Sequence, residues 1–416
     1  MSDLRKNHQR SHDFTSNQIQ RNIRIFEITG IDFTVLLVPV IVLVWTDANL
    51  AFHEMLLLQG IFALPILLLE VFSGSIADYW SRKNSVTLFH VLFGLGIFLY
   101  AIGDNFLMFA LAELLAGIGV TFQTGSATAL LYDSLKVNHS DPNGVFGKLV
   151  AKRMTIMFFF SAFGAIASGF IGSFFMIRLP IYLAVLGHFF FAGLVVWGYT
   201  EPPRLKPSTP KAAISTAITS LKKTSLQPIV LFWLLYMVFG RVGFWAVQHI
   251  LIEEFLIDAF AMGLLLALWN SIAALSSLFV RSRVEELTNG TVFTLVLAIE
   301  TGYLSVLIFQ PIGLGGILLA SCLTQITRGI RMPLIQSVVQ QNLQSEERAT
   351  FSSLMSFLGS SLYFSFSVIN DAIGLSRTLT LWSGFACSAI LVLCFVMLTA
   401  RNNQKTKASH PEPSLG

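Results

Sequence analysis

Residues 74–83 read Gly-Ser-Ile-Ala-Asp-Tyr-Trp-Ser-Arg-Lys and stand between two long apolar runs. The stretch brings small residues, the carboxylate of Asp78 and the cations of Arg82 and Lys83 into one short polar corner. Apolar runs of about 20 residues are long enough to cross a ~30 Å hydrocarbon core as helices. The stretch is therefore expected to connect two membrane-spanning helices.

The composition of the whole chain indicates a membrane protein. Of its 416 residues 54% are hydrophobic and 12% are charged, and the mean hydropathy is +0.70. A soluble protein of this size needs more charge on its surface, and inside lipid the backbone must satisfy its own hydrogen bonds as helices. We predict an all-α membrane protein with twelve transmembrane spans, at 23–46, 52–76, 85–103, 106–134, 148–173, 179–199, 228–252, 260–280, 291–309, 312–338, 348–372 and 378–399.

The spans fall into two six-helix bundles, 23–199 and 228–400. The predicted tails are 1–22 and 401–416, and the linker 200–227 contains four prolines. Lysine and arginine collect in the even-numbered connections, which places both termini in the cytoplasm. The same bias accounts for the formal charge of +4, so this charge does not indicate a nucleic-acid partner.

Residues 74–83 resemble the motif G-x-L-a-D-r-x-G-r-K, which joins the second and third helices in the major facilitator superfamily. The matching positions are Gly74, Ala77, Asp78, Arg82 and Lys83. Ile76 replaces leucine, Tyr79 stands where a basic residue is usual, and Ser81 stands where glycine is usual. The resemblance implies two bundles related by an axis along the membrane normal, which is the plan of these transporters.

Two further segments resemble a bacterial subgroup of that superfamily, which reads A-L-x-Y-D-S-L and R-A-T-x-x-S. They are 129–135, which contains Asp133, and 348–353, which begins with Arg348. The resemblance implies that Asp78 faces the N-terminus of the eleventh helix, where a carboxylate is favoured. It also implies that Arg82 reaches Asp133. We expect these residues to form a cytoplasmic latch that breaks when the transporter opens inward.

Charged side chains within the spans are costly in lipid and mark candidate functional sites. They are Glu27, Asp32, Glu113, Arg241, Glu300 and Arg328. Asp32 is expected near the bilayer midplane and in the cavity, where it is an alternative to Glu113 as the carrier of the coupling proton. Glu27 has Arg24 three residues before it, so either a local ion pair or a cavity role is open. Glu300 is expected in a structural pair on a peripheral helix.

Glu113 precedes Leu-Leu-Ala-Gly-Ile-Gly, which resembles the fourth-helix motif R-x-x-q-G-x-g with Glu113 at the arginine position. In the family that arginine is tied to proton coupling. Glu113 could itself carry the proton, or it could be a fixed counter-ion to Arg241 or Arg328. Arg241 could bind an anionic substrate, pair with a carboxylate of the first half, or act as a structural clamp.

The sequence contains none of the motifs that we sought for enzymes or for metal and cofactor sites. It contains no phosphate-binding G-x-x-x-x-G-K, zinc-spaced histidine pair or G-x-S-x-G, so we expect no enzyme, metal or cofactor. His188 and His249 are expected near outer helix ends. The fifth span carries Gly164, Gly169 and Gly172 for close helix packing, but it lacks the proline of the G-P motif of drug antiporters in this superfamily.

The sequence therefore predicts a secondary transporter that works by alternating access on a small-molecule substrate. We expect proton-coupled export of a small amphipathic compound, as in drug efflux, by a monomer embedded in the lipid bilayer. The alternative is proton-coupled uptake of an organic solute, such as a siderophore or a peptide-like metabolite, with Arg241 as its anchor. A third hypothesis is a membrane sensor that transports nothing.

Overall fold

The computed structural model describes residues 15–79, 81–123, 126–137, 142–202, 226–281, 290–310, 312–343 and 345–409. Every regular element in these ranges is helical. Ten segments among them are long and apolar enough to cross a membrane. The tenth and eleventh predicted spans are helices of 30 and 29 residues, which are also long enough at about 1.5 Å per residue but carry more polar side chains. The prediction of an all-helical membrane protein is confirmed.

The chain divides into two compact units, of which unit 1 is Met1–Thr209 together with Ile257–Asn270. Its helices, in chain order, are α1 (Ser16–Ile28), a 3₁₀-helix (Phe33–Leu36), α2 (Val38–Asp47), α3 (Phe52–Tyr79), α4 (Arg82–Ile102), α5 (Phe106–Gln123), α6 (Ser126–Lys136), α7 (Pro142–Phe174) and α8 (Leu179–Gly198). The first predicted span thus corresponds to α1, the 3₁₀-helix and α2, and the fourth span corresponds to α5 and α6.

Unit 2 is Pro210–Leu256 together with Ser271–Gly416. Its helices are α9 (Gln227–Leu235), a π-helix (Tyr236–Gly240), α10 (Arg241–Glu253), α11 (Ala259–Arg281), α12 (Gly290–Phe309), α13 (Gly313–Asn342), α14 (Ser345–Ile373) and α15 (Arg377–Ser409). Helix α11 contributes its residues up to Asn270 to unit 1 and the rest to unit 2. Helix α15 continues to Ser409, beyond the end predicted for the last span.

The first predicted span is not one continuous helix, because the helix stops between Ile28 and Phe33. Gly30 favours the break, since glycine is a poor helix former. The guanidinium group of Arg153 donates a hydrogen bond of 3.1 Å to the carbonyl of Thr29. A Cβ atom at Gly30 would lie 2.7 Å from Cγ of Arg153. The contact with α7 therefore requires glycine at position 30. Arg153 also binds the carbonyl of Thr29, which the break in the helix leaves free for it.

Large apolar side chains lie on the outside of the helices as well as between them. Trp197 is 85% exposed and Phe175 is 71% exposed, whereas Trp45 and Trp269 are buried. In water such an outer surface would be unfavourable, but in a bilayer it faces hydrocarbon chains of the same polarity. The distribution agrees with a protein whose exterior is solvated by lipid.

Helices α7 and α11 meet through glycine within unit 1. A Cβ atom on Gly169 would lie 2.4 Å from the carbonyl oxygen of Ala259, and one on Gly263 would lie 2.4 Å from that of Ala165. Small residues allow such close backbone contact between membrane helices. The predicted close packing of the fifth span is confirmed at Gly169.

Candidate functional site

The polar corner after α3 is organised by a carboxylate that the sequence analysis did not identify. Glu201 accepts hydrogen bonds from the backbone N–H groups of Arg82 (3.0 Å) and Lys83 (3.1 Å) and from Oγ of Ser81 (2.9 Å). The first N–H groups of a helix have no partner within the helix and attract anions. Glu201, just beyond α8, therefore binds the N-terminus of α4.

Ser81 explains one departure from the family motif. Its Oγ accepts a hydrogen bond of 3.1 Å from the backbone N–H of Asn84, so Ser81 is the N-cap of α4. Serine is among the preferred N-cap residues because its side chain can satisfy an N–H group of the first turn. The same hydroxyl also donates to Glu201. Serine at the usual glycine position thus contributes two hydrogen bonds to the corner.

Arg82 forms the ion pair with Asp133 that the motif implied, and this pair joins α4 to α6. The two side chains are only 22% and 12% exposed. Ion pairs that are partly shielded from water are screened less than exposed pairs. The pairing itself is confirmed, whereas its role in gating stays a prediction. The surroundings of Gly74 and the side chains of Asp78 and Arg348 lie outside the described residues.

Asn22 of α1 binds the chain neighbours of the two carboxylates of the corner, Asp133 and Glu201. Its Nδ2 donates to Oγ of Ser134 (2.9 Å) and to the carbonyl of Thr200 (2.8 Å), and its Oδ1 accepts from the N–H of Thr200 (3.0 Å). Ser134 follows Asp133 in the chain, and Thr200 precedes Glu201. The spacing of Ile19, Asn22 and Phe26 was a usable signal, because it places the asparagine on the buried stripe of α1.

Glu113 is buried between α3, α4 and α5. Oε1 of its carboxyl group accepts hydrogen bonds of 2.6 Å from Nε2 of Gln59 and of 2.6 Å from the hydroxyl of Tyr100. The Tyr100 ring stacks on Phe109, with 5.2 Å between the ring centroids. Both hydrogen-bond partners of Glu113 are neutral groups of the same unit.

The structure shows which groups the two acidic residues of the first span contact. Glu27 pairs with Lys152 of α7 at 2.8 Å, and Arg24, the partner in the local alternative, is exposed. The ion pair with Lys152 forms because α7 packs beside α1 and presents a lysine. Asp32 is exposed and caps the 3₁₀-helix through a 3.0 Å hydrogen bond from the N–H of Thr34, so it is not part of a helix interior.

His188 also differs from its prediction. It lies in the middle of α8 and is 3% exposed, and its Nδ1 is 3.4 Å from Nδ1 of His90 on α4. Phe89 and Phe93 pack against its ring. His188 is therefore a buried residue of unit 1 rather than a residue at an outer helix end.

The three charged residues of unit 2 that the sequence analysis singled out have partners within that unit. The guanidinium group of Arg241 lies over the ring of Tyr363, 5.1 Å from its centroid, which is a cation–π contact. Nη1 of Arg328 donates to Oε1 of Gln325 at 3.0 Å. The carboxyl group of Glu300 accepts a hydrogen bond from the hydroxyl of Thr327. Glu300 therefore joins α12 to α13, as expected for a structural role.

The comparison with protein families identifies the fold and the class of function. The sequence profile of the Major Facilitator Superfamily matches residues 28–368. The chain belongs to the Major Facilitator Superfamily. This superfamily member is accordingly a membrane transporter and not an enzyme, and the predicted fold of two six-helix bundles is confirmed.

Solved structures of other transporters are similar to this superfamily member over nearly its whole length. The nucleoside transporter NupG has a TM-score of 0.71 at 11% identity, covering 92% of this chain and 99% of NupG. The POT family transporter PepTSo has a TM-score of 0.69 at 12% identity, covering 94% and 99%. A D-xylose-proton symporter has a TM-score of 0.63 at 14% identity, covering 91% and 96%. Such low identities establish the common fold only.

One similarity in sequence is more local. The chain is 28% identical to the Quinolone resistance protein NorA of Staphylococcus aureus over 98 residues. These residues are 24% of this chain and 25% of NorA, so the match spans about a quarter of the length of that relative.

Proposed function

We propose that this transporter exports a small amphipathic compound in exchange for protons, across a bacterial cytoplasmic membrane and with both termini in the cytoplasm. Two rocking six-helix bundles would expose the substrate site to each side in turn, as in other transporters of this plan. We further propose that it acts as a monomer. The local similarity to a quinolone resistance protein supports export over uptake.

The environment of Glu113 is the observation that carries the proton-coupling proposal. Its carboxyl group is buried, and its two hydrogen-bond donors, Gln59 and Tyr100, are neutral. A buried ionised carboxylate is costly unless a positive charge compensates it. Proton uptake removes this cost, because the protonated acid is neutral and can donate a hydrogen bond of its own. Glu113 can thus change its charge as neighbouring helices shift, which is what a coupling carboxylate must do.

The corner after α3 is the proposed cytoplasmic latch. We assign this role to Gly74, Asp78, Arg82, Lys83, Asp133 and Arg348. The support within unit 1 is the Arg82–Asp133 ion pair and the binding of Glu201 to the start of α4. These contacts hold the connection between α3 and α4 in one arrangement. A rigid connection can transmit a movement of α3 to α4 and α6, because the contacts at the start of α4 stay intact during that movement.

The alternative direction is proton-coupled uptake of an anionic organic solute. The cationic side chains of unit 2 favour this candidate, since Arg241 and Arg328 are less than half exposed and attract anions. Arg241 would then have to leave Tyr363 or bind the solute beside that ring.

A transport assay with purified protein in proteoliposomes, under an imposed pH gradient, distinguishes export from uptake. Export in exchange for protons predicts that a radiolabelled amphipathic substrate accumulates on the acidic side, and that its movement acidifies the other compartment. Substrate accumulation on the alkaline side would establish uptake with protons and contradict the proposal. Asp104→Asn is a suitable control for substitutions of Glu113. It removes an exposed carboxylate of the same unit and should transport like the native chain.

A further inference from the structure

Arg331 of α13 is a buried arginine that the sequence analysis did not single out. Its side chain is 7% exposed, and its Nε and Nη1 atoms are buried without a hydrogen-bond partner in the part of the chain that the structure describes. Buried guanidinium nitrogens are normally hydrogen-bonded, because leaving a donor unsatisfied costs free energy. Two such nitrogens on one residue therefore indicate a place for an acceptor from outside the chain.

The π-helix Tyr236–Gly240 packs against the guanidinium group of Arg331. Arg331 lies over the ring of Tyr236, the first residue of the π-helix. Gly240 makes room for that ring, since a Cβ atom there would lie 2.5 Å from Cε2 of Tyr236. Single turns of π-helix are rare and occur frequently at functional sites. The Tyr236 ring thus lies against the guanidinium group of Arg331.

The charges around Arg331 favour an anion. Arg328 lies one turn earlier on α13, and the two arginines influence each other electrostatically. Glu300 also interacts electrostatically with Arg331, but its hydrogen bond is with Thr327. Two guanidinium groups beside one carboxylate leave an excess of positive charge in a buried region.

A narrow cavity in unit 2 has two lining residues that interact with Arg331. Tyr236 and Glu300 both line it, and most of the remaining wall is apolar and aromatic, including Phe232 and Phe239. Apolar walls with a few polar groups are typical of small-molecule sites. The aromatic rings would contact a flat apolar body, and Arg331 would bind a charged end.

We propose that Arg331, supported by Arg328 and Tyr236, binds the anionic group of the substrate, which is an aromatic or other flat amphipathic carboxylate. This inference rests on the proposed function and names the chemical class of its substrate. Arg331 is preferred to Arg241 as the ligand, because two of its guanidinium nitrogens are buried without a hydrogen-bond partner among the described residues.

Calorimetric titration of the purified protein in detergent tests this assignment without any proton gradient. The probes are 2-naphthoate and its neutral analogue 2-naphthamide, which have nearly the same shape. A charge-assisted hydrogen bond predicts that the native chain binds 2-naphthoate at least about tenfold more tightly than 2-naphthamide. Arg331→Gln should abolish this preference, and the control Arg24→Gln, which removes an exposed arginine of unit 1, should retain it.

Arg331→Lys provides the second variant if Arg331→Gln does not fold. Lysine keeps the charge but loses the planar fork of donors, so the preference for 2-naphthoate should fall several-fold rather than disappear. A native chain without this preference, an unchanged preference in the Arg331 variants, or an equal loss in Arg24→Gln would overturn the assignment. If the liposome experiment shows no proton-driven export while the preference persists, the proposed function fails and the anion site stands.

Discussion

Replacement of Glu201 by glutamine is expected to weaken the whole corner between α3 and α4. The carboxylate accepts hydrogen bonds from Ser81, Arg82 and Lys83. A hydrogen bond to a charged group contributes about 1.5–3 kcal/mol, and an anion at a helix N-terminus contributes about 0.3–1 kcal/mol more. Glutamine retains one acceptor, and water replaces part of the rest, so we expect a net loss of about 2 kcal/mol.

Thermal unfolding of the purified protein in detergent measures this loss. A loss of 1 kcal/mol lowers the Tm of a unit of roughly 220 residues by about 2–4 °C, so Glu201→Gln should lower it by about 4–8 °C. Glu54→Gln is the matched control. Glu54 also binds an N–H group at a helix start, that of Ala51 at 2.8 Å, but the contact is local to α3, so the control should cost less than about 1 kcal/mol.

A double-mutant cycle with Ser81→Ala isolates one contact of the corner. The effects of Glu201→Gln and Ser81→Ala should be non-additive by about 1 kcal/mol, because the hydroxyl and the carboxylate are hydrogen-bonded at 2.9 Å. The reasoning is refuted if the two substitutions are additive, or if Glu201→Gln unfolds within about 1 °C of the native chain, a difference of at most about 0.5 kcal/mol.

Three further predictions concern unit 1. Exchanging the charges, Arg82→Asp with Asp133→Arg, should restore transport that each single substitution lowers, and a double variant no better than the singles would exclude a functional pair. Asn22→Leu should lower the Tm by several degrees, since the partly buried backbone groups of Thr200 lose hydrogen bonds worth about 0.5–1.5 kcal/mol each; an unchanged Tm would contradict this. Gly169→Val should destabilise the protein by about 1–3 kcal/mol or more through overpacking, whereas Gly147→Val, where a Cβ atom has no neighbour within 4 Å, should cost less than about 1 kcal/mol.

The features predictable from the sequence were those that local pattern or a motif controls. Hydropathy located the spans because each must match the thickness of the bilayer. The motif around Asp78 implied the Arg82–Asp133 pair, which is present. The glycines of the fifth span indicated close packing, and Gly169 does contact α11.

The features that escaped prediction depend on which helices become neighbours. Local spacing favoured Arg24 as the partner of Glu27, but α7 supplies Lys152 instead. The break after Ile28 depends partly on Arg153, which is more than 120 residues away in the chain. Glu201 looked like the first residue of a linker, although it binds the N-terminus of α4. One sequence contains no record of such long-range contacts.

The central claim is that Glu113 carries the coupling proton, and comparison of native protein with Glu113→Gln in proteoliposomes tests it most directly. Two quantities are measured: accumulation of the amphipathic substrate driven by a pH gradient, and exchange of labelled for unlabelled substrate without a gradient. We predict that Glu113→Gln loses the accumulation and keeps the exchange, since glutamine resembles the protonated acid but cannot release a proton. Gradient-driven accumulation at the native rate in Glu113→Gln would contradict the account.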